Sequence, residues 1–129
     1  MKEGPFSYMT VNLGPVGVHN IIGLQPVFPN SDSFAFNPRC LKHDINPFET
    51  HLWTYRWILD LLVNYTDIEM FQARMQSDSR YFDTSVFTGV HTGGYNTIGG
   101  DPGGDLYVSP GDSAFYLHHA NIDRVWATW

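Results

Sequence analysis

The sequence predicts a mainly helical chain with long loops rich in proline and glycine. Apolar residues recur at steps of three and four in three separate stretches, and a residue suited to capping a helix precedes each stretch. Six of the eight prolines fall within residues 1–47, where they interrupt any regular element. With 129 residues, 43% of them hydrophobic and 16% aromatic, the chain can form one small domain with a modest core.

The first 47 residues read as loop, with a short extended piece predicted from Tyr8 to Leu13. His19 lies in this loop and is interpreted as a surface histidine. His43 stands between Lys42 and Asp44 and is interpreted as solvated. Cys40 has no partner for a disulfide within this chain, so cysteine usage does not indicate a compartment.

The first helix is predicted to begin at Asn46, which can cap it. Pro47 suits the first helical position, and Glu49 stands where a capping box needs an acidic residue. Aromatic and aliphatic residues then continue on one face, and they are interpreted as core: Trp53, Trp57, Ile58, Leu61 and Leu62.

A second helix is predicted from Thr66, where Thr66 and Glu69 form a capping-box pair. Ile68, Phe71 and Met75 lie on one face of this helix. The polar run over residues 76–80 is predicted to end it.

The segment from Val90 to Gly104 is rich in glycine, which favours tight turns and close approach of backbones. A phosphate-binding loop is excluded because its lysine and hydroxyl residues are missing. Asp101 and Asp105 are too few carboxylates to predict a calcium site. His91 begins the segment and Tyr95 follows four residues later, so one face of a helix would present both.

The last predicted helix runs to the end of the chain, and Asp112 is its N-cap. Its apolar face consists of Phe115, His119, Ile122, Trp126 and Trp129. A histidine in such a stripe is either a core residue with satisfied hydrogen bonds or a functional group. The neighbouring His118, Asp123 and Arg124 favour the functional interpretation.

This stretch resembles the second copper-binding motif of tyrosinases, catechol oxidases and haemocyanins, Asp-Pro-x-Phe-aromatic-x-His-His-x-x-x-Asp-Arg-x-Trp. The match runs from Asp112 through Trp126, with Ser113 in place of the motif's proline. The resemblance implies that His119 is a copper ligand and that His118 is its neighbour. It also implies that Phe115 lines the pocket and that Asp123, followed by Arg124, orients the site through hydrogen bonds to the metal-bound imidazoles.

The same family supplies two further ligands of this copper as His-x-x-x-His. His91 fits the first position, and Tyr95 stands at the second. A phenolate from Tyr95 could substitute for the missing imidazole, but it is a harder, anionic ligand that disfavours Cu(I) and must first lose its proton. Copper binding is therefore expected to be weak or absent unless Asn96 or a shifted backbone compensates, and no catalytic residue is assigned.

The resemblance is strongest to the short fungal members, and it also covers GPFSYMTVNLGPVG and NPRCLKHDIN near the start. It implies that residues 1–129 form a partial domain, half of a four-helix copper-binding core. The half that binds the first copper would be absent, which suggests a fragment with an exposed apolar face. Such a chain is expected to be inactive alone and marginally stable.

Two functional hypotheses follow from the resemblance. In the first, the parent protein uses two coppers and dioxygen to oxidise phenols or catechols to ortho-quinones, and a separate chain could supply the first-copper half. In the second, the domain keeps the fold, has lost copper and is not catalytic. An oxygen carrier of the haemocyanin type would need all six histidine ligands.

Net charge and hydropathy indicate which other partners to expect. The net charge of −6 argues against nucleic-acid or anionic-membrane partners. No apolar run is long enough to span a bilayer, and the first residues have no apolar core of a signal peptide. The compartment is left open, although the resemblance is compatible with secretion of full-length relatives.

Overall fold

A computed structural model describes residues 8–16, 32, 34–83 and 89–129, so His19 lies outside the described residues. The predicted mainly helical class is confirmed. In the described part, a two-stranded sheet precedes the helices, and a short 3-10 turn at Ser109–Gly111 comes before the last one. The elements are β1 (Thr10–Val11), β2 (Arg39–Cys40), α1 (Pro47–Thr50), α2 (Tyr55–Asn64), α3 (Ile68–Gln76), α4 (Val90–Ile98) and α5 (Ser113–Thr128).

The small sheet is tied to the loop that follows α4. Strands β1 and β2 pair antiparallel, with Thr10 opposite Cys40, and β1 falls within the predicted extended piece. The guanidinium of Arg39 donates to both carboxylate oxygens of Asp101, at 2.5 and 2.6 Å. The backbones of Lys42 and Asp101 exchange two hydrogen bonds of 2.9 Å. Asp101 is therefore a structural residue, and the sheet holds the end of α4.

The helix predicted to begin at Asn46 is two helices, so the prediction of one continuous element was wrong. Asn46 does cap α1, because its side chain accepts a hydrogen bond from the N–H of Phe48. After Thr50 the chain makes a tighter turn, and Thr54 then adopts an extended conformation as the N-cap of α2. The break turns Leu52 inward, where it packs with Val90 at the start of α4.

Helix α3 is capped by Asp67 rather than by Thr66, which corrects the predicted start by one residue. The Asp67 side chain accepts a hydrogen bond of 2.9 Å from the N–H of Met70. The predicted end is correct, because Ser77 adopts a left-handed conformation with φ of 52° directly after the helix.

We expect Asp67→Ala to lower the free energy of unfolding by about 1 kcal/mol, the usual cost of losing a side-chain N-cap. Urea titration followed by circular dichroism measures this change. Thr66→Ala is the matched control and should change stability by less than half as much, since Thr66 is not the cap. An equal or larger loss for Thr66→Ala would restore the predicted start of the helix.

The main core lies between α2, α3 and α5 and consists of Leu61, Phe71, Met75 and Val125. Phe71 is fully buried, and its ring stacks on Trp129 with 4.4 Å between the centroids. The indole N–H of Trp129 also donates a 2.6 Å hydrogen bond to the carbonyl of Tyr65. The end of α5 is thus fixed against the α2–α3 connection.

Large apolar residues remain exposed on several of the described helices. Leu59 and Val63 project from α2, and Tyr116, Leu117 and Trp126 from α5. A partial core would leave side chains of this kind exposed, and that the chain is such a partial core stays a prediction. Among the helices described, none combines the length and the apolar character needed to cross a membrane.

Candidate metal centre

The candidate site lies between α4 and α5, and α5 is held at its N-terminal end. Asp112 is completely buried and caps α5 by accepting a 2.9 Å hydrogen bond from the N–H of Ala114. Its other carboxylate oxygen lies 2.6 Å from Nε2 of His43. His43 was interpreted as solvated, and the structure corrects this: its side chain is 17% exposed and contacts a buried carboxylate. His43 therefore supports the start of the helix that carries His119.

Three predicted ligand residues come together at this site. The ring centroids of His91 and His119 are 5.1 Å apart, and the two rings are perpendicular. The Tyr95 hydroxyl is hydrogen-bonded to Nε2 of His119. Phe115 stacks on His119 at 4.1 Å, so the predicted pocket residue covers one face of that imidazole. Two imidazoles and one phenol thus converge from neighbouring helices.

His118 is the most buried residue of the group, at 1% exposure. The sequence pattern predicted that His119 lies at the centre of the apolar face of α5. In the structure, the residues of α5 that are buried are His118 and Val125. Nε2 of His118 lies 2.8 Å from the backbone carbonyl of His91, and because a carbonyl only accepts, Nε2 carries the proton. The opposite nitrogen, Nδ1, is buried and has no hydrogen-bond partner among the described residues.

The site of His118 strongly favours its neutral form. Burial lowers the pKa of His118 from 6.5 to about 4, although the bond to the His91 carbonyl acts in the opposite direction. The ring packs edge-on against Trp53, with 5.4 Å between the centroids, and over Gly94, so little water can reach it to solvate a charge. His118 is therefore a buried link between α4 and α5.

Gln76 contacts a predicted ligand residue, and the sequence pattern did not indicate this contact. Its side-chain oxygen lies 2.8 Å from Nδ1 of His91. No motif indicated this residue, because it was read only as part of the polar run that ends α3. A partner at Nδ1 leaves Nε2 as the nitrogen available to a ligand. Burial, followed by the nearby His119, lowers the pKa of His91, so this imidazole is neutral at pH 7.

Tyr95 occupies the family position for a histidine and is a neutral phenol in this environment. Burial raises the pKa of Tyr95 above its ordinary value of 10. The Tyr95 hydroxyl that is hydrogen-bonded to Nε2 of His119 therefore keeps its proton. A metal ion bound by both groups would have to displace this hydrogen bond and the phenol proton.

Other residues of the motif lie away from the imidazoles. Asp123 and Arg124 are exposed, and Arg124 donates to the side chain of Asn121. Among the hydrogen bonds of the described residues, none joins Asp123 to His91 or His119, so the orienting role expected for Asp123 stays a prediction. The carboxylate of Asp105 is used structurally, since it accepts from the backbone N–H of Val16 at 2.6 Å.

The donor set fits one copper ion held by two imidazole nitrogens and a phenol oxygen, but it does not supply three imidazoles. In the part of the chain that is described, no group of three or more His, Cys, Asp or Glu side chains could hold a metal. The remaining oxygen donor beside the two imidazoles is the phenol of Tyr95. Imidazole suits copper, and phenolate favours its oxidised form.

Comparison with known proteins gives a consistent family relationship. The family model for the common central domain of tyrosinase matches residues 1–129. Tyrosinase P of Aspergillus terreus is 30% identical over 129 residues, which cover all of this chain and 34% of that protein. A tyrosinase-like protein of Emericella nidulans is 34% identical over 131 residues, covering 98% of this chain and 32% of that protein.

A solved structure of similar fold is that of a variant polyphenol oxidase from Thermothelomyces thermophila. It is 44% identical in sequence, with a TM-score of 0.81 over 99% of this chain and 32% of that protein. The helical architecture is therefore that of a known copper-oxidase fold. The chain spans about a third of the length of the curated relatives it matches.

Proposed function

The chain belongs to the tyrosinase family, whose members are copper oxidoreductases, and from this premise we propose that it forms the second-copper half of the family's domain. His91 and His119 are the proposed metal ligands, with Tyr95 as a third donor. The observation that carries the proposal is the convergence of these three side chains, with the two imidazoles 5.1 Å apart.

The proposed activity belongs to the complete protein, which would oxidise phenols or catechols to ortho-quinones with dioxygen. The names of similar proteins support this class, among them polyphenol oxidase and an N-acetyl-6-hydroxytryptophan oxidase of Emericella nidulans that is 30% identical. Copper, when bound, would supply the electron transfer between the phenol and dioxygen. The residues of this chain would hold it, shield it from water and orient its ligands.

Each of these tasks has a residue suited to it. A neutral imidazole at His91 would offer its lone pair to a metal without first losing a proton, and His119 would supply the second nitrogen. Phe115, stacked on His119, would restrict that ring and exclude water from one side. His118 would fix the separation of the two helices through its bond to the His91 carbonyl.

The proposed partner is the first-copper half of the domain, in the same protein or in a separate chain. The exposed apolar side chains of α2 and α5 support this proposal, because a complete core would cover them. The small-molecule partners would be a phenolic or catecholic substrate and dioxygen.

Copper content tests the proposed ligands directly. We expect the purified chain, dialysed against Cu(II), to bind one copper per chain weakly and to lose it on His119→Ala. Tyr95→His should bind at least about tenfold more tightly, because an imidazole need not release a proton as the phenol must. His51→Ala is the matched control, since His51 is an exposed histidine that bonds to the carbonyl of Phe48.

A second candidate function is a domain that keeps the fold without using copper. The specific observation in its favour is the Tyr95 hydroxyl, which already occupies Nε2 of His119. If the natural chain holds no stoichiometric copper while Tyr95→His gains it, this second function replaces the first. Equal copper loss in His51→Ala and His119→Ala would instead contradict the assignment of His119.

A further inference from the structure

Gln76 is the last residue of α3, and its side chain reaches the first proposed ligand on the next helix. The distance from its Oε1 to Nδ1 of His91 is 2.8 Å, within the range of a good hydrogen bond. The family resemblance assigns no role to this position. The contact joins Gln76, which ends α3, to His91, the first proposed metal ligand, on α4.

We propose that Gln76 is a positioning residue that selects the tautomer of His91. This proposal rests on the proposed function, in which His91 binds a metal. An amide oxygen can only accept, so it holds the single proton of a neutral imidazole at Nδ1. The lone pair is then on Nε2, at the far side of the ring from Gln76, and the ring is prepared for a metal before one arrives.

The backbone explains why Gln76 and His91 meet. Gly89 precedes α4 with φ of 79°, a conformation that favours glycine. A Cβ atom at this position would lie 2.8 Å from the backbone of Gln76 and Ser77, and closer still to the carbonyl oxygen of Met75. The start of α4 therefore contacts the last turn of α3 directly, and His91 follows two residues later.

The last turn of α3 is itself fixed. Met75 is 2% exposed in the main core, so the residue before Gln76 cannot shift without disturbing that core. After Gln76, the left-handed conformation of Ser77 turns the chain out of the helix. The N–H of Asp78 then donates a 2.8 Å hydrogen bond to the carbonyl of Ala73. Gln76 thus extends from a rigid position, although its side chain is exposed.

The remaining contacts of His91 restrict the position of its ring, but they do not determine which ring nitrogen carries the proton. The ring of His118 stacks on His91 with 5.4 Å between centroids and 9° between planes. Tyr95 contacts it edge-on at 5.2 Å. These ring contacts hold its plane, but none places an acceptor or a donor at a ring nitrogen. The only hydrogen bond that the described residues make to a ring nitrogen of His91 comes from Gln76.

The first experiment needs no metal. Long-range proton–nitrogen NMR spectra of the ¹⁵N-labelled chain report which nitrogen of His91 carries the proton. We expect the Nδ1–H form in the natural chain and in Gln76→Glu, which keeps an acceptor oxygen at the same reach. Gln76→Met has similar length without an acceptor, and it should shift His91 towards the Nε2–H form. Gln76→Asn, which retains an amide but falls short, should behave like Gln76→Met.

The second experiment measures affinity for Cu(II) in the same variants. Gln76→Met should weaken binding by about 10- to 100-fold, the usual effect of removing a hydrogen-bonding partner of a metal-bound histidine. Gln76→Glu should retain affinity within a few-fold. Gln72→Met is the matched control, because it makes the same exchange one turn earlier on the same helix and should change neither readout.

The two readouts separate this inference from the proposed function. An Nε2–H tautomer in the natural chain, or a tautomer unchanged by Gln76→Met and Gln76→Asn, overturns the role of Gln76. A tautomer that responds as expected in a chain without affinity for Cu(II) supports that role and overturns the proposed metal ligation. A loss of affinity in Gln72→Met equal to that in Gln76→Met also overturns the inference, since the effect would then not depend on His91.

Discussion

Gly94→Ala is expected to lower the free energy of unfolding by about 2 kcal/mol, although alanine is the better helix former. A Cβ atom on residue 94 would lie 2.8 Å from Nε2 of His118 and closer to Cε1 and Nδ1. The ring cannot withdraw, because it is buried, bonded to the His91 carbonyl and packed against Trp53. Overpacking typically costs about 1–3 kcal/mol, and a ring that cannot move places Gly94→Ala at the upper end of that range. Subtracting the roughly 1 kcal/mol that alanine gains over glycine in a helix leaves a net loss of about 2 kcal/mol.

A double variant identifies the cause. In a His118→Ala background the space is open, so Gly94→Ala should be neutral or stabilise by up to about 1 kcal/mol. The coupling between the two sites, read from urea unfolding of the four chains, should therefore be about 2–3 kcal/mol. If Gly94→Ala fails to fold and the double variant folds, the explanation is equally supported. Equal costs in both backgrounds would mean that the backbone, and not His118, requires glycine.

The second large effect is a loss of stability in acid caused by His118. Its folded pKa of about 4 lies below its ordinary value of 6.5, so the folded state disfavours the protonated form. The stabilisation is therefore complete above pH 6.5 and is lost as the pH falls through 4. At about 1.4 kcal/mol per pH unit, the expected loss across this window is about 3 kcal/mol.

Comparison with His118→Gln isolates this contribution from that of the carboxylates. Glutamine keeps an N–H that can reach the His91 carbonyl but does not titrate, so this variant should show a flatter profile between pH 6.5 and 4. The measurement is the free energy of unfolding in urea at half-unit pH intervals. Parallel profiles for the two chains would show that His118 is protonated without cost and that its burial is less complete than described.

Helix caps and periodicity predicted much of the fold. Asp112 was identified as the start of α5, and the polar run after Gln76 correctly ended α3. These signals are local, because a cap and the helix it serves lie within one turn of chain. The spacing of His91 and Tyr95 likewise placed both on one face of α4. The motif around His119 indicated that α5 supplies the other side of the site.

Contacts between separate elements could not be predicted from the sequence. The break after Thr50 depends on Leu52 packing against Val90, a residue of a different helix. Gln76 and His43 were read from their neighbours in sequence, whereas their partners, His91 and Asp112, are distant along the chain. Periodicity predicts which face of a helix is buried, but it does not predict which side chain of another element contacts that face. Positioning residues therefore cannot be identified from the sequence pattern.

The donors of the candidate site come from two helices, α4 and α5, that converge only when the chain has folded. A metal ion bound to both would therefore act as a cross-link that the unfolded chain cannot form. By mass action, each tenfold increase of free metal above the dissociation constant would add about 1.4 kcal/mol to the free energy of unfolding. The melting temperature of such a chain would therefore depend on the concentration of free metal as well as on the sequence.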